Sequence, residues 1–536
     1  MSAEKVAVVR GPLTPDAVEI FDTTLRDGSQ LEGISLTVDD KLRIAEQLDY
    51  LGVHFIEGGW PGANPKDEEF FRRARTELKL TTSTLVAFGS TRRPKGKVDD
   101  DPTLRNLIEA GTSAVCIVGK SWDYHVTEAL KTTLDEGVAM VGDSVEFLRG
   151  HGLDVAFDAE HFFDGYKRNP EFSLSVLEAA ALKGASKLVL CDTNGGSLPF
   201  EIEQIVSAVV KHLGGDVKIA IHTHDDTGCA VANAIAAVRG GCRHVQGTIN
   251  GIGERTGNCN LTTVIPNLEL KMGVRTLPEG RLERLTQVSN HIAELVNVSL
   301  SPQAPYVGTS AFAHKAGLHV SAIARARDAY EHVDPAVVGN GTRFVVSELA
   351  GKSTLKIKAE ELGIEIDGKG LSDLTDELKR LEHEGFHFEA ADASLELLMR
   401  RAAGWEQNFF EVESLRIIAD ETPTGTFATE ATVKVHINGE RIIRTCEGNG
   451  PVNAIDNALR MAVGKHFPAL DRVHLTDYKV RVLDTEKGTG AVTRVLIDST
   501  NGERSWSTIG VASNVIEASW QALFDSIVYG LLHSVG

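Results

Sequence analysis

The stretch Ile20-Phe21-Asp22-Thr23-Thr24-Leu25-Arg26-Asp27-Gly28-Ser29-Gln30 opens as an apolar strand and breaks into a charged loop, with Arg26 and Asp27 side by side. Far downstream, Ile219-Ala220-Ile221-His222-Thr223-His224-Asp225-Asp226 repeats that design. Side chains two apart on a strand share a face, so His222 and His224 can point into one cavity. Asp27 completes a site with them if both strands end at the same rim. Two imidazoles and a carboxylate suit a divalent ion.

Working outward, eight short apolar runs at 18–22, 54–57, 84–88, 114–118, 154–158, 187–191, 217–222 and 244–248 alternate with helical periods. Leu42, Ala45, Leu48 and Leu51 mark the first helix, which Thr37-Val38-Asp39-Asp40 starts and Gly52 ends. Eight βα units in about 250 residues match the size of a TIM (β/α)8 barrel. An open doubly wound sheet fits less well, because the first βα turn carries no glycine fingerprint. Barrel enzymes hold their chemistry at the C-terminal ends of the strands. Polar residues recur there: Arg26 and Asp27 after the first strand, Glu57 at the second, Asp158 and Glu160 after the fifth. Asp192, Thr193 and Asn194 follow the sixth, His222 and His224 end the seventh, and Asn250 follows the eighth.

The expected organisation is an α/β barrel over 17–275, a helical subdomain over 276–388, a linker over 389–414 and a C-terminal α+β domain over 415–536. That last domain reads as two ββα-type units with no cluster of catalytic groups, which suggests regulation or dimerisation. The chain has 536 residues, 42% hydrophobic and 24% charged, and a formal net charge of −20. That is the profile of a globular protein of several domains, and the charge argues against a general nucleic-acid partner. A local cluster of cations can still attract an anionic substrate. No signal peptide or membrane span is expected. The six cysteines form no CxxC pair and read as reduced and buried, so a cytoplasmic location is expected.

Several residues around the rim suggest roles by their chemistry. Arg26 beside a metal ligand can stabilise an enolate or alkoxide as charge develops. Glu160 can act as a base or position one. Thr193 offers a hydroxyl to a substrate carboxylate, or else caps the next helix. Asn258, in Gly251-Ile-Gly-Glu-Arg-Thr-Gly257-Asn258, can add an oxygen ligand, and the glycines there let backbone approach closely. Asp225 and Asp226 read as supporting or solvated loop groups. By residue type alone, His319 and Tyr330 are a packed helical histidine and a core tyrosine. His383-Glu384-Gly385-Phe386-His387 matches HExxH, but Gly385 stands where a helix ends. Gly351-Lys352-Ser353-Thr354 lacks the earlier glycine of a phosphate loop and reads as a turn or helix start.

Taken together, Phe21-Asp-Thr-Thr-Leu-Arg-Asp-Gly-Ser-Gln30, His222-Thr-His224 and Gly253-Glu-Arg-Thr-Gly-Asn258 resemble one family closely: the metal-dependent Claisen-condensing and lyase barrels. That family includes isopropylmalate, homocitrate and citramalate synthases and hydroxymethylglutaryl-CoA lyase. The likeness continues through Phe312-Ala-His-Lys-Ala-Gly-Leu-His319. It extends to Gly448-Asn-Gly-Pro-Val-Asn-Ala454 and Ile516-Glu-Ala-Ser-Trp-Gln-Ala522, which are similar to the allosteric domain of the synthases. The lyases lack such a domain. Phe157-Asp-Ala-Glu-His-Phe-Phe-Asp-Gly-Tyr166 and Tyr330-Glu-His-Val-Asp-Pro335 resemble the citramalate branch most.

The resemblance implies acetyl-CoA and pyruvate as substrates, a divalent metal (Zn, Mn or Mg), feedback by isoleucine and a homodimer. It implies Asp27, His222 and His224 as metal ligands with Asn258 nearby. Arg26 and Glu160 are then catalytic, Thr193 holds the keto-acid carboxylate, and His319 and Tyr330 act on acetyl-CoA. Asp158 stands two before Glu160, where some citramalate synthases carry Tyr. Two alternatives remain open: an isopropylmalate or homocitrate synthase using another 2-oxo acid, and a barrel that senses a metabolite without turnover.

Overall fold

The structure, a computed structural model, describes residues 13–214, 217–314, 326, 330–344, 352–421, 425, 427–483 and 485–534. It divides into two compact units, Met1–Phe312 with His332–Thr342, and Ala313–Glu331 with Arg343–Gly536.

The first unit is a closed parallel barrel of eight strands: β1 Glu19–Asp22, β2 Phe55–Gly59, β3 Thr84–Ser90, β4 Ala114–Lys120, β5 Asp154–Glu160, β6 Lys187–Asp192, β7 Lys218–Thr223 and β8 His244–Gly247. All eight expected strands are present, several running one or two residues further toward the rim. The alternation within β5 shows why the sequence closes this way. Val155, Phe157 and Ala159 face outward into the large core under the helices, while Ala156 joins Phe21, Val86, Phe88, Ala114 and Cys116 inside. Every strand is buried on both faces, and the apolar runs are therefore near-continuous. Helix Val38–Leu51 begins at the expected capping box, with Asp40 N donating to Thr37 Oγ1 at 3.1 Å and Thr37 N donating to Asp40 Oδ2 at 2.9 Å. It ends at Gly52, whose φ of 95° needs no side chain.

The seam that closes the barrel pairs β1 with β8, Glu19 opposite His244 and Phe21 opposite Gln246. On the other side of β8, His222 of β7 lies opposite Gln246. These registers bring the loop after β1 next to the end of β7.

The segment 276–388 does not form one helical subdomain. Helix Leu285–Leu295 packs in the barrel's core, whereas helices Lys352–Glu361 and Gly368–His383 belong to the second unit. The segment 389–414, expected as a linker, carries helix Asp392–Ala402, buried on two sides. Short strands β9 Ala313–His314 and β10 Arg343–Phe344 pair in parallel.

Two antiparallel sheets complete the second unit: β11 Glu411–Glu421, β12 Phe427–Ile437 and β13 Glu440–Gly448, then β14 His474–Val482, β15 Thr493–Thr500 and β16 Ser505–Ala512. Helix Pro451–Val463 follows the first sheet and Val515–Leu532 the second, and their apolar faces share one core with both. These are the two ββα-type units, each with one further strand at its edge. Strands β11 and β14 are exposed along most of their length, so neither shows a clean apolar alternation.

HExxH is not a helical motif here, because the helix ends at His383 and Gly385 has φ 111°. Lys352 starts a helix, as expected. No helix among the described residues is long and apolar enough to cross a membrane.

Candidate active site

The turn after β1 is built to present Arg26 and Asp27. Asp22 is buried and accepts from Thr24 N at 2.9 Å and Thr24 Oγ1 at 2.8 Å, and Thr24 Oγ1 in turn accepts from Ile249 N at 3.0 Å beyond β8. Burial pushes the Asp22 carboxyl up to about 7 despite the Thr24 donors. Arg26 N and Gly28 N both donate to Thr23 O, which closes the turn.

Asp27, His222 and His224 converge. His222 Nε2 lies 3.2 Å from His224 Nε2 and 3.3 Å from Asp27 Oδ2, and His224 Nε2 lies 3.8 Å from the same oxygen. All three residues are buried. A point equidistant from these three atoms is about 2 Å from each, the bond length of zinc to imidazole nitrogen or carboxylate oxygen. Burial opposes charge on Asp27, but the Arg26 guanidinium and the His222 hydrogen bond outweigh it and hold the carboxyl well below the usual range. Burial, with His222 alongside, lowers His224 to about 4, which leaves a neutral ring near pH 7. His224 and Asp27 thus rest in protonation states that ligate a cation. At His222 burial is outweighed by the Asp27 carboxylate, which raises that ring's pKa, so ion binding there would displace a proton. Among the described residues the trio is the one cluster with such spacing.

Asn258 is buried beside His224, to which its backbone is bridged. Asn258 Oδ1 and His224 Nδ1 have no hydrogen-bond partner among the described residues. A buried amide oxygen without a donor fits an ion or ordered water at this place. The loop that delivers Asn258 depends on Gly257, whose φ is 97° and where a Cβ would meet Gly251 O at 2.1 Å. Of the two flanking aspartates, Asp225 Oδ1 accepts from Ala230 N at 2.8 Å and caps the next helix. Asp226 forms a two-bond fork with Arg255, both bonds at 2.8 Å.

Arg26 is held from two sides. Its Nε donates to Glu57 Oε2 at 2.5 Å, and its guanidinium lies 4.0 Å over the Phe88 ring. Burial pushes Glu57 up, opposed by the guanidinium. Glu160 pairs with Lys120. Thr193 Oγ1 accepts from His161 N at 2.8 Å, so its own proton is left to donate.

Arg26, Asp27, Glu160, Thr193, His222 and His224 line one cavity of about 230 Å³ at the C-terminal end of the strands, with Trp60 and Phe88 among its walls. A larger hollow of about 860 Å³ opens at the opposite end, beside Glu19, Lys218 and Arg243. Convergent polar groups, not volume, mark the first as the site. His319 lies outside the described residues. Tyr330 belongs to the second unit and is half-exposed there. Four contributors carried no site role in the sequence reading: Glu57, Lys120, Gln246 and Arg255. Gln246 Oε1 lies 2.8 Å from His222 Nδ1, and its inward position on β8 follows from strand alternation once the barrel is known.

A closed (β/α)8 barrel with an Asp-His-His cluster at its rim is the frame of a metal-assisted enzyme, and the chain belongs to the HMGL-like family, which matches residues 17–292. Two further families match the remainder, "Homocitrate synthase post-HMGL domain-like" over 306–385 and "LeuA allosteric (dimerisation) domain" over 389–531. The chain is 52% identical to the (R)-citramalate synthase of Aquifex aeolicus over 520 residues, 96% of this chain and 98% of that one. It is 53% identical to the (R)-citramalate synthase of Streptomyces coelicolor over 522 residues, 97% of each. Among solved structures, an HMG-CoA lyase of Bacillus subtilis aligns at 23% identity with a TM-score of 0.46, over 54% of this chain and 96% of that chain.

Proposed function

We propose that this chain condenses acetyl-CoA with pyruvate and hydrolyses the thioester, releasing (R)-citramalate and CoA. The observation that carries the reading is the Asp27–His222–His224 cluster sharing one small cavity with Arg26. Full-length identity above 50% to two (R)-citramalate synthases supports it. The cavity is narrowed by Trp60 and Phe88, in edge contact at 5.3 Å, which favours a small 2-oxo acid.

A divalent ion held by Asp27, His222 and His224, with Asn258 beside it, would polarise the oxo-acid carbonyl as a Lewis acid. The Thr193 hydroxyl donates to the substrate carboxylate. A base takes a methyl proton from acetyl-CoA, and His319 is assigned that role, with Tyr330 and Glu160 in support. The carbanion equivalent attacks the keto carbon, and the former carbonyl oxygen gains negative charge. Arg26 meets that charge: Glu57 fixes the plane of the guanidinium and Phe88 its height, so little reorganisation remains for the reaction itself. Water then cleaves the thioester, and CoA leaves as the thiol.

The match to an allosteric dimerisation domain supports a homodimer under feedback control, and isoleucine is the effector we assign. The test is a panel of 2-oxo acids offered with acetyl-CoA, with free thiol read by a colour reagent. Pyruvate should give the fastest CoA release. A preference for 2-oxoisovalerate or 2-oxoglutarate would reassign the acceptor, and no release with any acid would leave a sensing barrel.

A further inference from the structure

Below the candidate ion site, four buried side chains from four strands form a hydrogen-bonded chain. Asp158 of β5 accepts from Gln246 Nε2 of β8 at 3.1 Å and from the Cys116 thiol of β4 at 3.1 Å, both on Oδ1. Gln246 Oε1, at the other end of the same amide, lies 2.8 Å from His222 Nδ1 on β7. Asp158, Cys116, Gln246 and His222 are all buried.

The donors and acceptors permit one arrangement. A carboxylate only accepts, so the amide must turn its NH2 toward Asp158. The opposite rotamer would set an amide oxygen against a carboxylate oxygen. Burial keeps the Cys116 thiol protonated, a second donor to Asp158. With its nitrogen committed, Gln246 presents its oxygen to His222, and Nδ1 must carry the ring proton. In the neutral ring Nε2 then holds the lone pair, and Nε2 is the atom that faces Asp27 and His224.

We infer that Asp158 and Gln246 act as positioning residues that fix the tautomer and ring plane of His222, so that a carboxylate on β5 governs metal affinity through an amide on β8. This rests on the proposed ion site. It also gives Asp158 a task other than shaping the oxo-acid pocket. Imidazole ligands commonly donate their second N–H to a carboxylate or carbonyl, and losing that partner lowers metal affinity by about 10- to 100-fold. Here an amide stands between, and the effect of Asp158 must pass through it.

The test measures Zn²⁺ affinity of the full-length protein by competition with a chromophoric chelator, for Gln246→Met, Asp158→Asn, the double variant and Asp27→Ala, with melting curves alongside. Gln246→Met should weaken Zn²⁺ binding by about 10- to 100-fold, and Asp158→Asn by a smaller factor. The double variant should bind no more weakly than Gln246→Met alone, because Asp158 has nothing left to act through. Wild-type affinity in Gln246→Met, or a full multiplicative loss in the double variant, overturns the inference. Should Gln246→Met fail to fold, Asp158→Asn decides alone, and unchanged affinity there is fatal. Asp27→Ala separates the two readings. If it keeps Zn²⁺, the ion site itself is wrong; if it loses Zn²⁺ while Gln246→Met keeps it, only the relay is.

Discussion

Glu57 Oε2 lies 2.5 Å from Arg26 Nε, joining a β2 side chain to the turn after β1. Glu57 is fully buried and Arg26 nearly so. Removing one partner of a buried pair costs about 3–5 kcal/mol, and without Glu57 the Arg26 charge keeps only Asp27, 3.4 Å away, as a close counter-ion. Glu57→Ala should lower stability by that amount in urea unfolding, and kcat should fall in the fraction that folds. Unchanged stability would mean that Phe88 and Asp27, whose Oδ2 lies 3.4 Å from Arg26 Nη1, suffice to hold the guanidinium.

Arg26→Lys tests the other half of the pair. An ammonium retains the charge but cannot keep the fork that meets both Glu57 and the reacting oxygen. Metal content should stay at the wild-type level while kcat drops by about 10²- to 10³-fold. An undiminished kcat removes Arg26 from the chemistry.

Asp27→Ala should lose bound metal and turnover together. Elemental analysis of the purified protein decides the point, and stoichiometric metal in this variant would show that the ligands are other residues.

At the opposite end of the barrel, Glu19 lies 3.2 Å from His244 Nδ1 and pairs with Lys218. Burial acts to raise its pKa, but the hydrogen bonds from His244 and Lys218 prevail and bring it from 4.5 down to about 2. A carboxylate with a depressed folded pKa stabilises fully above its unfolded value. That contribution disappears as pH falls from 4.5 toward 2. Glu19→Gln should therefore melt lower than wild type at pH 6, and the difference should shrink over that window. A gap constant with pH would mean the pair contributes nothing through its charge.

Helix Asp392–Ala402 sets where the chain can be cut. Its Ala393 and Leu397 pack with Val433, Ile455 and Leu523, while Leu395 and Met399 pack with Leu374, Leu378 and Ile509. A chain ending at Ser414 strips partners from both faces. It should elute as aggregate in gel filtration and lose, with its fold, the feedback by isoleucine that we propose. A monodisperse, active product would show that the helix stands without the later sheets.

How far the sequence announces this architecture depends on how local each signal is. The eight strands are legible because each apolar run and each helix carries its own period. His222 and His224 are legible because two residues on one strand share a face whatever surrounds them. Glu57 and Gln246 are not, since an inward Glu or Gln has meaning only once the residue across the barrel is known. Helix Asp392–Ala402 hides for another reason: it is apolar on two faces, and a helix buried twice shows no single stripe. His319 and Tyr330 enter only by family likeness, for nothing in their local pattern distinguishes them from packing residues.

The place where the cylinder closes has one more consequence. Asp27 follows the first strand and the two histidines end the seventh, with only β8 between them. A growing polypeptide therefore has no nest for a cation until its eighth strand has slipped in beside its first. Ion uptake would then mark the completion of the hoop, and stripping the ion should loosen that junction before any other, as amide exchange along β1 and β8 would register.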